Sequence, residues 1–183
     1  YDVAVDTPYR ELPENFRRPY VSTNLQEFWR RWHVSLSTWL RDYLYVPLGG
    51  NRGASLATYR NLMVTMLLGG LWHGAAWTFV IWGALHGAGL AVVRWWQRRR
   101  GGRVEAGPWH RAAATVATFH FVCFAWIFFR SQSLDDAWAV LRVLGEGTFR
   151  VTNLDREIVG TTFGMIALHM LPRRWVDGAG RTF

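Results

Sequence analysis

Between Arg60 and Arg94 the chain runs for 33 residues without one Asp, Glu, Lys or Arg, and no other feature limits the fold as tightly. About 20 apolar residues suffice to cross the hydrocarbon core of a bilayer as a helix. The stretch is therefore long for one straight crossing and short for two. Gly69-Gly70 divides it, which predicts a broken membrane segment over 61–93, with 61–68 a short piece and 71–93 a full-length span. Broken helices are tolerated at membrane depth only where protein or a water-filled cavity covers the freed backbone groups. The break is thus the first pointer to a site.

Two further apolar runs, 112–129 and 158–172, predict additional membrane helices. The charges between the runs are asymmetric. Residues 94–111 carry six Arg against Glu105 alone and Arg173-Arg174 follow the last run, whereas 130–157 holds four Arg against five acids. Cytoplasmic loops of membrane proteins are enriched in Lys and Arg, so 94–111 and 173–183 are expected inside and 130–157 outside. The net charge of +8, carried entirely by Arg, and the 12 Trp could also suit a soluble nucleic-acid binder. Two long uncharged runs argue against that class, so no nucleic-acid partner is expected and membrane lipid is. The single cysteine, Cys123, excludes a disulfide framework and a thiolate metal site. The chain opens at Tyr1 without Met or a signal-peptide pattern, and reads as a segment of a longer protein.

Residues 1–21, punctuated by Pro8, Pro13 and Pro19, read as a loop. A helix signal follows. Thr23 and Asn24 offer N-cap side chains, with Gln26 or Glu27 able to reach back. Leu25, Phe28, Trp29, Trp32, Leu36, Trp39, Leu40 and Tyr43 form one stripe at helical spacing, with Arg30, Arg31 and Arg41 off it. This predicts one basic, aromatic amphipathic helix over 22–46, of the kind that lies in a membrane interface. Pro47 and Gly49-Gly50-Asn51 end it.

Of six histidines, His73 has the most informative position, directly after the glycine pair and inside the uncharged stretch. Ionisable groups at membrane depth are costly and usually face a protein interior or a wet cavity. Its imidazole could move a proton near neutral pH, or could be a structural ring bonded to a carbonyl. His33 sits at the edge of the amphipathic stripe and reads as interfacial. His86 follows His73 by 13 residues, roughly 20 Å along a straight helix, too far for joint metal ligation. No metal is expected, and no serine elbow, P-loop or zinc-protease helix is present. Asp42, beside Arg41, reads either as a local ion pair or as part of a site.

The ordered motifs carry a resemblance. The run from Asn24 to Tyr45 (NLQEFWRRWHVSLSTWLRDYLY), then PLGGNRG over 47–53, LLGGLWHGAAWT over 67–78 and WGALHG over 82–87, closely resembles the membrane-bound O-acyltransferase family. The nearer likeness is to the branch that includes the alginate O-acetylation membrane protein and the teichoic-acid D-alanylation acyltransferase. The resemblance implies an all-α, polytopic membrane fold with a tunnel, of which residues 1–183 would form the C-terminal part. It implies a bacterial inner-membrane O-acyltransferase acting on an exported, alginate-like polysaccharide. His73 and His33 would be the catalytic pair, with Trp32, Asp42, Asn51, Trp72 and Trp77 along the substrate path. An acyl thioester donor, acetyl-CoA or an acyl carrier, would supply the acyl group with no bound cofactor. A periplasmic acyltransferase and polysaccharide machinery would be partners. The rival from another class is a transporter or channel subunit with a histidine proton relay, which accounts for the break but not for the Trp-Arg-Arg-Trp-His run.

Overall fold

The computed structural model describes residues 15–101 and 107–147. The expected helix over 158–172 and most of the 1–21 loop lie outside the described residues. The chain divides into two compact units, Tyr1–Leu141 and Arg142–Phe183, and apart from the end of the last helix everything that follows concerns the first. Among the described residues every regular element is helical.

A turn of 3-10 helix, Pro19–Val21, leads into α1, Leu25–Arg31. Asn24 caps α1 as expected, its Oδ1 accepting from the Glu27 N–H at 2.9 Å. Glu27 completes the reciprocal box by accepting from the Thr23 N–H and hydroxyl, each at 2.8 Å. The expected six-turn helix over 22–46 is not continuous. It breaks at Trp32-His33 and resumes as α2, Val34–Leu40, before widening into a π turn at Arg41–Tyr45. His33 takes a left-handed conformation, φ 43°, at the break. The orphaned donors of α2 are met from outside the helix. The Asn15 carbonyl accepts from Val34 N–H at 3.0 Å, its side chain accepts from Ser35 N–H at 2.9 Å, and Arg17 N–H reaches the Arg31 carbonyl at 2.8 Å.

The uncharged stretch also differs from expectation. Gly69-Gly70 does not break it: α3 runs from Ser55 through both glycines to His73, and α4 runs from Trp77 to Arg99. The result is a helical hairpin of 19 and 23 residues with its bend at Gly74–Ala76. The glycines make the seam instead. A Cβ on Gly70 would lie 2.3 Å from the Phe79 carbonyl oxygen, and one on Gly83 would lie 2.4 Å from that of Met66. Backbone therefore packs on backbone, which in membrane helices substitutes for the hydrophobic drive that lipid cannot supply.

The expected helix at 112–129 forms as α5, Pro108–Arg130. Among the described residues it is the one helix long and apolar enough to cross a bilayer by itself. Only Val122 and Ala125 of α5 are buried, so most of its side chains face outward. The neutral segment after it contains α6, Leu134–Gly145, opened by a Ser133–Asp136 box. The core gathers Leu25, Phe28 and Trp29 of α1, Met66 of α3, Trp82 and Leu90 of α4, and Val122 and Ala125 of α5.

Candidate active site

His73 is the last residue of α3, half-buried, where the hairpin bends. Gly74 follows because a Cβ there would fall 2.5 Å from the Phe79 ring. Aromatic rings hold the imidazole on several sides. Trp82 and Phe129 meet it edge to face with centroids 5.4 and 5.0 Å away, and Phe79 stacks at 6.2 Å. Phe129 also contacts both Phe79 and Trp82, each at 5.2 Å, and so joins the two sides of the wall. Among the described residues no hydrogen bond reaches the His73 ring.

His33, 40 positions earlier in the chain (73 − 33), stands within electrostatic range of His73, with no hydrogen bond or ring contact between the two imidazoles. The helix break places His33, since its left-handed backbone turns the chain between α1 and α2. Its Nδ1 lies 3.4 Å from the Ser35 hydroxyl, which donates to Asn15 Oδ1 at 3.0 Å.

The remaining sequence candidates divide. Trp72 and Trp77 flank the bend and are exposed, 63% and 71%, with the Trp72 ring 5.1 Å from His73. Trp32 points inward instead, stacked on Phe28 at 5.7 Å and set against Phe16 and Trp126 at 4.8 and 5.2 Å. It joins α1 to α5. Asp42 lies in the π turn and accepts from Arg41 at 2.7 and 3.1 Å, the local pair that its sequence position suggested. Those bonds hold its carboxyl below the usual carboxylate range. Asn51 accepts from the Tyr45 hydroxyl at 2.7 Å. Among the described residues no cluster of three or more metal-ligating side chains occurs.

Sequence reasoning missed the wall of Phe79, Trp82 and Phe129. Trp82 stood in a noted motif, but Phe129 comes from another helix and gave no local signal. His86, weighed from sequence only as a metal ligand, is fully buried. The Trp29 indole N–H donates to His86 Nδ1 at 3.2 Å, and Trp82 packs on the same ring at 4.8 Å. Trp82 therefore touches both His73 and His86.

With this geometry in view, comparison with known proteins is decisive. The model of the membrane-bound O-acyltransferase family matches residues 9–134. The chain belongs to the membrane-bound O-acyltransferase family. Both histidines, the hairpin and α5 fall within the matched region of that family. The chain is 57% identical over 126 residues to the probable alginate O-acetylase AlgI of Azotobacter vinelandii, covering 68% of this chain and 24% of that protein. It is 45% identical over 148 residues to the peptidoglycan O-acetyltransferase of Helicobacter pylori, covering 80% and 27%. To the teichoic acid D-alanyltransferase of Bacillus subtilis it is 34% identical over 131 residues, covering 66% and 33%. The chain spans about a quarter of the length of the first two of these relatives. As a member of this family it is a membrane protein.

Proposed function

We propose that this chain carries the catalytic end of a polytopic bacterial inner-membrane enzyme that O-acetylates an exported polysaccharide. The observation that carries the reading is the His73 imidazole at the bend of the α3–α4 hairpin, set in the wall of Phe79, Trp82 and Phe129. Relatives named as O-acetylases of alginate and of peptidoglycan support the acyl group and the polymeric acceptor.

A hydroxyl is a weak nucleophile until a base takes its proton. His73 is that base. As the acceptor oxygen attacks the thioester carbonyl, its proton passes to the imidazole. The new C–O bond forms, the C–S bond breaks, and the leaving thiolate recovers the proton from the imidazolium. His33 completes the path along which the donor reaches His73. Trp72 and Trp77 line the approach for a small acyl group through a membrane tunnel, while Asn51 and Asp42 stand further along the donor path. The donor is acetyl-CoA or an acyl carrier. The helices α1 and α2 lie at the cytoplasmic interface, and a periplasmic acyltransferase with the polysaccharide machinery completes delivery outside.

The test is His73→Ala in the full-length protein, with polysaccharide acetylation measured alongside protein abundance. Acetylation is expected to fall to background at normal abundance. Unchanged acetylation would remove His73 from the chemistry.

A further inference from the structure

Between α1, α4 and α5 lies a groove of about 1360 Å³, and none of the rings around His73 lines it. Helix α4 contributes Leu85, Val92 and Arg100 from one face, and α5 contributes Arg111, Ala114 and Phe121. Its floor is closed where the three helices touch. A Cβ on Gly89 of α4 would lie 2.7 Å from Leu25 of α1 and 3.0 Å from the Phe121 ring.

Two contacts set the levels along the groove. Trp82 meets Phe129 at 5.2 Å and Gly89 meets Phe121, so α4 and α5 run in opposite directions. From the Gly89–Phe121 level, Arg100 is 11 residues along α4 (100 − 89) and Arg111 is 10 residues back along α5 (121 − 111). At about 1.5 Å per residue these are roughly 16 and 15 Å. The two helices therefore carry Arg100 and Arg111 to one level, from opposite sides of the groove. One leaflet, half of the hydrocarbon core, is also about 15 Å deep. The groove has the depth of a leaflet, with an apolar floor and a cationic mouth.

The mouth has no carboxylate to balance it among the described residues. Arg100 lies over the Trp96 ring at 4.4 Å, which occupies the face of the guanidinium and not its N–H edge. Arg111 is exposed, and neither arginine is in an ion pair among the described residues. Arg30 and Arg94 line the groove as well, and its one carboxylate, Glu27, is engaged with Thr23 and Arg31. A protein helix laid here would need acids at the level of Arg100 and Arg111. A bilayer supplies phosphate at that height, and a basic pocket between membrane helices suits an anionic headgroup.

We infer that this groove holds an anionic glycerophospholipid, its phosphate between Arg100 and Arg111 and an acyl chain running down to Gly89 and Phe121. The lipid takes no part in acyl transfer. It fastens α5, of which only Val122 and Ala125 are buried, to α4 and α1.

The experiment uses the full-length protein in phosphatidylcholine nanodiscs. These are doped with a lipid that carries a photoactivatable acyl chain and either a phosphatidylglycerol or a phosphatidylcholine headgroup. After irradiation, mass spectrometry maps the labelled residues. Residues 85–92 and 114–121 are expected to take label from the phosphatidylglycerol probe at least about fivefold more than from its twin. The double variant Arg100→Gln, Arg111→Gln should bring the two probes level. Arg98 donates to Ser55 and does not line the groove, so Arg98→Gln should keep the preference. Should the double variant fail to accumulate, each single Gln variant should cut the preference at least about twofold. Equal labelling by both probes in the wild type, or a preference that survives loss of both arginines, would overturn the assignment. So would the absence of label from both stretches, since another part of the protein would then fill the groove.

Discussion

The Trp29 indole N–H donates to Nδ1 of His86 at 3.2 Å, joining α1 to α4 through a fully buried pair. An indole nitrogen only donates, so Nδ1 of His86 must be the unprotonated acceptor. The ring is therefore neutral, carries its proton on Nε2, and has its lone pair occupied. Nitrogen-15 spectra of the full-length protein should show that tautomer across the neutral range. His86→Leu would strand the Trp29 donor in the core at a cost of about 1–3 kcal/mol, and Trp29→Phe would leave Nδ1 bare at a similar cost. Thermal unfolding in detergent measures both, and wild-type stability in both variants would contradict the clamp.

The seam between α3 and α4 gives a second expectation. Gly70→Ala and Gly83→Ala each drive a methyl into a carbonyl oxygen across the hairpin, at 2.3 and 2.4 Å. Overpacking of this kind costs about 1–3 kcal/mol or more, so both variants should lose abundance. Gly107→Ala is the control, because nothing lies within 4 Å of its Cβ position. Equal abundance of all three variants would show that the hairpin does not depend on close backbone approach.

His33 combines two roles that substitution can separate. Its φ of 43° suits Gly or Asn and strains other residues by about 1–2 kcal/mol. His33→Asn and His33→Gly should therefore accumulate normally, whereas His33→Val should not. If acetyl transfer falls in the two well-folded variants, the imidazole itself is needed. Full activity in both would leave His33 a purely architectural turn residue.

Glu27 makes the N-terminus of α1 sensitive to acid. Burial alone would raise its carboxyl, but hydrogen bonds from the Thr23 N–H and hydroxyl, with the Arg31 guanidinium, hold it below its ordinary value of 4.5. A depressed folded-state value means that the box contributes fully above about pH 4.5 and is lost as pH falls through the lowered value. Glu27→Gln should flatten that acid limb of stability while leaving the neutral range little changed. Melting temperatures of the two proteins between pH 3 and 7 would show this, and parallel curves would exclude it.

Much of this was legible in the residues, for local reasons. The cap at Asn24 and the answering Glu27 lie three positions apart, and their bonds form within one turn. The uncharged runs located α5 and the hairpin because transfer cost depends on composition alone. The break at His33 was illegible because no Gly or Pro marks it and the apolar stripe runs through it unchanged. What breaks the helix is Asn15, which meets the Val34 and Ser35 N–H groups from twenty positions away. Gly69-Gly70 misled for the opposite reason. Glycine serves both as a breaker and as a contact surface, and only the partner helix of the hairpin decides which.

Because carbonyls lie where side chains would collide, α3 and α4 can mesh in only one register. The seam thereby acts as a ruler. The interval from the histidine at the bend to the first arginine beyond the apolar stretch is written as a number of residues, and nothing in the hairpin can stretch to absorb an error. One residue inserted between Gly83 and Arg94 would lengthen α4 by only about 1.5 Å but swing Arg94 about 100° around the axis. The Arg94 side chain would leave the cavity that it lines with Tyr45 and Asn51 while every ring around His73 kept its place.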